Sequence, residues 1–160
     1  MKIKALVMDV DGTLTDGGLY IGSQGEIMKR FHVKDGYGIH NMLPQMGIIP
    51  IILTGRNSEI VLERCRELDI NKVIQGSTDK VKDMKALLEA EDISLNEVAY
   101  IGDDLNDLEC MKLVKVRGCP KDAANEVKEI CEYVSAYTGG NGAVRDFIEW
   151  IRFELEMKSE

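Results

Sequence analysis

A doubly wound α/β fold with a parallel sheet is predicted by three features of the chain. Short apolar runs at 3–8, 48–53 and 98–101 read as buried strands, because a parallel strand covered on both faces is apolar throughout. Segments with helical spacing alternate with these runs, which is the pattern of successive βα units. Each run also ends in a polar cluster: Asp9-Val10-Asp11, Thr54-Gly55-Arg56 and Gly102-Asp103-Asp104. Open α/β sheets bind ligands at the carboxyl ends of their strands.

Taken in order, 3–8 is the first strand. Leu19-Tyr20-Ile21 and 27–33 flank Gly22-Ser23-Gln24-Gly25, a hairpin with a glycine-containing turn. Ile39, Met42, Leu43 and Met46 fall at helical spacing and predict a helix over 36–46. The strand at 48–53 is followed by a helix at 58–68, capped by Asn57 or Ser58. A short strand at 72–75 and a helix at 79–90 come next. Ser94-Leu95-Asn96-Glu97 fits a capping box ahead of the strand at 98–101. The remainder reads as a helix at 105–113, short strands at 114–117 and 133–135 around a helix at 122–131, the flexible loop Gly139-Gly140-Asn141-Gly142, and a terminal helix at 143–156.

At 160 residues the chain is expected to form a single domain, 1–160, with the hairpin as an insertion at about 17–33. Its net charge of −8 argues against general nucleic-acid or anionic-membrane binding. An anionic substrate therefore needs a local basic pocket. Lys2 and Lys4 precede only a brief apolar run broken by Asp9, which does not read as an export signal. No apolar stretch approaches the ~20 residues that span a bilayer. The four cysteines show no CxxC spacing and read as reduced cytoplasmic thiols. With only two histidines, a bound metal is expected to have oxygen ligands, which suits magnesium.

Asp9 and Asp11 are two residues apart and share one face of an extended chain. Like charges that close need a cation between them, or one must hold a proton. Alone, the segment is equally well read as a turn, Thr54-Gly55 as a strand end, Lys80 as a solvated helix residue, and Asp103, Asp104 and Asp107 as helix capping. Together they place carboxylates, a hydroxyl and an ammonium around one crevice, a set suited to a divalent cation and a phosphoryl group. A phosphoacceptor receiver domain uses similar groups. Its acidic pair, however, precedes its Thr and Lys, whereas Asp103-Asp104 follows Thr54 and Lys80 here.

At these residues the chain resembles the haloacid dehalogenase superfamily of phosphohydrolases, whose four motifs are matched by Asp9-Val10-Asp11-Gly12-Thr13, Thr54, Lys80 and Gly102-Asp103-Asp104-Leu105-Asn106-Asp107. Thr15-Asp16-Gly17-Gly18, Lys34-Asp35-Gly36-Tyr37-Gly38-Ile39, Leu53-Thr54-Gly55-Arg56, Val98-Ala99-Tyr100-Ile101-Gly102-Asp103-Asp104 and Gly139-Gly140-Asn141-Gly142-Ala143-Val144-Arg145 extend the resemblance. They point to a capless branch, the 3-deoxy-D-manno-octulosonate 8-phosphate phosphatases and the related phosphatases and domains of sialic-acid metabolism. The resemblance implies Asp9 as nucleophile, Asp11 as acid/base, and Thr54 and Lys80 on phosphate oxygens. It implies Mg2+ held by Asp9, the Asp11 backbone carbonyl and Asp103, with Asp104 and Asp107 orienting water ligands or Lys80.

Lys34, Arg56 and Arg64 are the candidate substrate-binding cations, since an arginine grips a carboxylate bidentately. In the resembled group an arginine at position 56 goes with the octulosonate phosphatases and an acidic residue with the nonulosonate branch. Asn141 departs from the arginine usual in that loop. The resemblance further implies an enzyme of lipopolysaccharide biosynthesis that acts on a small sugar acid phosphate, and a homotetramer in which hairpins associate and neighbours cover each site. Two alternatives stand beside it: a nonulosonate 9-phosphate phosphatase, and a non-catalytic assembly module for a sialic-acid-activating synthetase. The charged segment 152–160 is left either loose or reaching a neighbour's site.

Overall fold

The computed structural model describes residues 1–157. The first strand, β1 (Ala5–Met8), is wholly buried. An antiparallel hairpin follows, β2 (Tyr20–Gly22) and β3 (Gly25–Met28), in a sheet of its own. The chain then runs helically through α1 (Val33–Tyr37), a π-helical turn (Gly38–Met42) and α2 (Leu43–Gln45). β4 (Ile49–Leu53), α3 (Glu59–Glu67), β5 (Lys72–Ile74) and α4 (Lys80–Ala90) complete the first half. β6 (Val98–Ile101), α5 (Leu108–Met111), β7 (Val116–Cys119), α6 (Asn125–Ile130), β8 (Tyr133–Val134) and α7 (Ala143–Met157) complete the second.

Six strands form one parallel sheet in the order β5-β4-β1-β6-β7-β8. The chain builds outward from β1 on one side and then crosses to β6 on the other. The strand order therefore reverses beside β1, which is where such sheets open a crevice. Successive β1 side chains serve two cores. Leu6 and Met8 pack with Ile39, Leu43, Val61, Phe147 and Ile148, whereas Ala5 and Val7 pack with Met84, Leu88, Met111 and Val127. Helices thus cover both faces, as the apolar strand runs predict. Among the described residues no helix is long and apolar enough to cross a membrane, and all four cysteines are free thiols.

Some boundaries differ from the sequence expectation. The second hairpin strand stops at Met28 rather than 33, because His32 Nδ1 accepts the Lys34 amide at 3.2 Å and starts a helix at Val33. The helix expected over 36–46 thus begins three residues early, and it widens to a π turn just before Pro44, which has no amide to donate. The helix expected at 105–113 is a 3₁₀ turn (Leu105–Asp107) running into the short α5. β7 lies two residues later than expected, and the helix expected at 122–131 shrinks to α6 because Asp122 instead accepts the Gly139 amide at 2.9 Å. Ser58, not Asn57, caps α3. Of the charged segment 152–160, the part up to Met157 continues α7, and 158–160 lie outside the described residues.

Candidate active site

The Asp9 amide donates to the Ile101 carbonyl at 3.1 Å, so Asp9 stands at the carboxyl edge of the sheet where β6 also ends. The Val10 carbonyl then collects the amides of Thr13, Leu14 and Thr15, which folds the loop back tightly on itself. Gly12 adopts φ +88, and a Cβ there would overlap the Asp103 carboxylate. A glycine at 12 is therefore what lets Asp103 approach Asp9. The 139–142 loop braces this loop from outside: the Gly140 amide donates to the Thr13 carbonyl at 3.1 Å.

Asp9 is 5% exposed. Burial, and then repulsion from Asp107, raise its carboxyl well above the ordinary range, with Lys80 opposing. Asp103 accepts the Thr13 hydroxyl at 2.8 Å. Its carboxyl is pushed up to about 6, chiefly by burial and further by Asp107 and Asp104, against the lowering hydrogen bonds of Asp9 and Thr13. Lys80 is the first residue of α4, behind its cap Asp79. Its ammonium lies 3.2 Å from Asp9 Oδ1 and 2.9 Å from Asp107 Oδ1. Burial lowers the Lys80 pKa, but the two carboxylates outweigh it and the net shift is upward.

Asp107 is fully buried and spends both oxygens on the protein. Oδ1 accepts from Lys80 and from the Tyr100 hydroxyl at 2.6 Å, and Oδ2 accepts the amides of Asp103 and Asp104 at 3.1 and 3.3 Å. A carboxylate offers about four acceptor positions, so Asp107 is filled and serves as a brace. Carboxylate oxygens of Asp9, Asp103 and Asp107 all lie within 4.8 Å of one another. With Asp107 committed, Asp9 and Asp103 carry the mutual repulsion that a cation relieves. Hard oxygen donors in this arrangement fit magnesium.

The structure thus gathers Asp9, Asp103, Asp107 and Lys80 in direct contact, and Thr54 is buried at the end of β4. Asp11 joins through another set. Its carboxylate meets Lys29 at 2.6 Å and Arg56 at 3.9 Å, and Arg56 is also 3.8 Å from Glu26. Asp104 is exposed and caps the 3₁₀ turn by accepting the Leu105 amide at 2.8 Å. Lys34 and Arg64 lie outside the group. Lys34 is exposed beside Asn141 and Arg145. The Arg64 guanidinium stacks over Phe31 at 5.5 Å, donates to the His32 carbonyl at 3.4 Å and pairs with Glu67 at 3.2 Å. Asn141 Oδ1 accepts from Arg30 at 3.0 Å, so a guanidinium from the hairpin reaches this loop.

Thr13, Tyr100, Glu26 and Lys29 are the site members that sequence reasoning missed. Thr13 lay within a recognised motif. Tyr100 lay within a resembling stretch but had no role assigned, since a buried strand tyrosine is ordinary, and the hairpin pair carried no local signal, since two charges on a short hairpin are ordinary too.

A parallel α/β sheet with these carboxylates and a buried lysine at its switch point defines a haloacid dehalogenase-like hydrolase, and the model of that class matches residues 67–148. Within the class, the chain belongs to the family of 3-deoxy-D-manno-octulosonate 8-phosphate phosphatases. It is 41% identical over 145 residues to the phosphatase of that name from Escherichia coli (strain K12), covering 91% of this chain and 77% of the relative. The structure of the Moraxella catarrhalis phosphatase with magnesium ion, phosphate ion and KDO matches with a TM-score of 0.89 at 38% identity, over 98% of this chain and 92% of that one. The cobalt-bound Haemophilus influenzae phosphatase matches with a TM-score of 0.90 at 36% identity, over 94% and 87%.

Proposed function

We propose that this chain is a magnesium-dependent phosphatase of 3-deoxy-D-manno-octulosonate 8-phosphate, the substrate named for its relatives. The observation that carries the reading is the facing pair Asp9 and Asp103, buried and braced by Lys80 and Asp107 where the strand order reverses. Asp9 attacks phosphorus as the bond to the sugar oxygen breaks, forming an aspartyl-phosphate. Asp11 gives that oxygen its proton, then takes one from the water that frees phosphate and restores Asp9. Lys80 and Thr54 hold phosphate oxygens. Asp9, the Asp11 backbone carbonyl and Asp103 would hold magnesium, which would offset the repulsion between a carboxylate and a phosphate dianion.

Arg56 is half-exposed beside Asp11, which supports a role for its guanidinium in gripping the sugar carboxylate. The expected result is magnesium-dependent phosphate release with a higher kcat/KM for the octulosonate 8-phosphate than for nonulosonate 9-phosphates. The reverse preference would overturn the substrate assignment, and no release from either would favour an assembly module.

Residues 1–160 act as one domain with the hairpin as an insertion, and the domain functions in the cytoplasm, in lipopolysaccharide biosynthesis. The homotetramer is supported by the hairpin's outer surface. Leu19, Tyr20, Ile21, Ile27 and Met28 are all exposed on a two-stranded unit that is marginal alone. Arg64 lies in a surface hollow with Val33 and Tyr37, and Lys34 in another with Tyr137 and Asn141, so either would reach substrate only at a neighbouring subunit's site. Replacing Ile21 and Ile27 by serine is expected to shift sedimentation from tetramer toward smaller species. An unchanged sedimentation coefficient would remove the hairpin from the interface.

A further inference from the structure

Lys29 follows β3 on a hairpin whose apolar residues face outward, yet its side chain is only 1% exposed. Its ammonium is 2.6 Å from Asp11 Oδ1 and 2.9 Å from Glu26 Oε2. A buried ammonium is costly unless its donors are met by charged acceptors. Here Glu26, three residues earlier and on β3, supplies one acceptor and Asp11 the other. Glu26 is itself fixed from the main domain, since the hydroxyl of Ser58, the α3 cap, donates to its Oε1 at 2.6 Å. The inward edge of the hairpin is therefore pinned between the nucleophile loop and the start of α3. The two Asp11 oxygens are divided by this arrangement: Oδ1 is taken by Lys29, while Oδ2 faces the Arg56 side of the crevice.

We infer that Lys29 is a positioning residue for Asp11, locking one carboxylate oxygen so that the other is presented to the sugar oxygen that leaves. The inference rests on the acid/base role proposed above for Asp11. It makes the hairpin part of the reaction as well as a surface feature, because the strand that turns apolar residues outward also aims the acid inward. A positioned general acid matters most when the leaving group is a poor one, such as an alkoxide, and least for a nitrophenolate.

The test compares kcat/KM on the octulosonate 8-phosphate and on 4-nitrophenyl phosphate, with saturating magnesium. The proteins are wild type, Lys29→Met, Lys29→Arg, Asp11→Asn and the Lys29→Met/Asp11→Asn double variant. Lys29→Met is expected to lose on the order of 100-fold on the sugar phosphate and roughly tenfold less than that on the aryl ester. Lys29→Arg, which keeps a cation, recovers most of that difference. The double variant is expected to be no slower than Asp11→Asn alone, because the lysine acts through that carboxylate. If thermal melting shows that Lys29→Met folds poorly, Lys29→Gln takes its place with the same expected ratio. Equal losses of the lysine variant on both substrates, or losses that multiply in the double variant, would overturn the inference while leaving Asp11 as the acid. Equal losses for Asp11→Asn itself would overturn the acid/base reading, and the inference with it.

Discussion

Asp9→Asn abolishes turnover, by roughly 10⁴-fold or more in kcat, since an amide does not form the acyl-phosphate bond and the neighbouring carboxylates are engaged elsewhere, Asp103 by Thr13 and Asp107 by Lys80 and Tyr100. The fold survives the change. Asn fills the same volume, and Lys80 keeps its 2.9 Å contact with Asp107. The sign of the stability change follows from the raised Asp9 carboxyl, whose causes are burial first and then Asp107. A carboxyl raised in the folded state contributes stability that is fully present below its unfolded pKa and is lost as pH rises through the folded value. In metal-free buffer the variant is therefore expected to melt at or above the wild-type temperature at pH 7, with the gap closing below about pH 4. Thermal melts in chelator at both pH values check this. A marked destabilisation at pH 7, or a kcat within tenfold of wild type, would show that Asp9 is not a strained nucleophile.

The largest effect on stability is expected from Asp107→Leu. That carboxylate satisfies the Lys80 ammonium, the Tyr100 hydroxyl and two backbone amides while fully buried. Leucine is close in size but accepts nothing, so a buried cation loses one of its two partners and three further donors lose theirs. Removing one partner of a buried charged pair costs about 3–5 kcal/mol. Urea unfolding is expected to show that loss as a lower midpoint with little change in slope. Asp107→Asn keeps an acceptor oxygen and is expected to lose less. A loss under about 1 kcal/mol for the leucine variant would contradict the bracing role, since surface-like positions lie in that range.

Much of the sheet was legible because parallel strands announce themselves as unbroken apolar runs, and Ala5–Met8 and Val98–Ile101 lie within or on the expected limits. The site was legible for a related reason: strand ends at a switch point converge, so Asp9, Lys80, Asp103 and Asp107 could be grouped by topology before any distance was known. Boundaries failed where a side chain outweighed pattern. Val33 is β-branched and favours a strand, yet the His32 cap starts a helix there. Asp122 looks like a helix opener and instead holds Gly139.

The roles of Glu26 and Lys29 were illegible for a deeper reason. Glu26 and Lys29 are three apart, so strand alternation puts them on opposite faces, and they meet only because β3 ends at Met28, before Lys29. Arg64 is a similar case. Its place on α3 was predicted, but its engagement with Phe31 and His32 depends on how that helix packs beside the hairpin base.

The central claim is that phosphate passes through Asp9. Enzyme turning over the octulosonate 8-phosphate with magnesium is quenched in acid, digested, and its peptides weighed. The expected result is one phosphoryl group on the peptide containing Asp9 in wild type and none in Asp9→Asn. Steady turnover with that peptide unmodified, or a phosphoryl group on another residue, would contradict it.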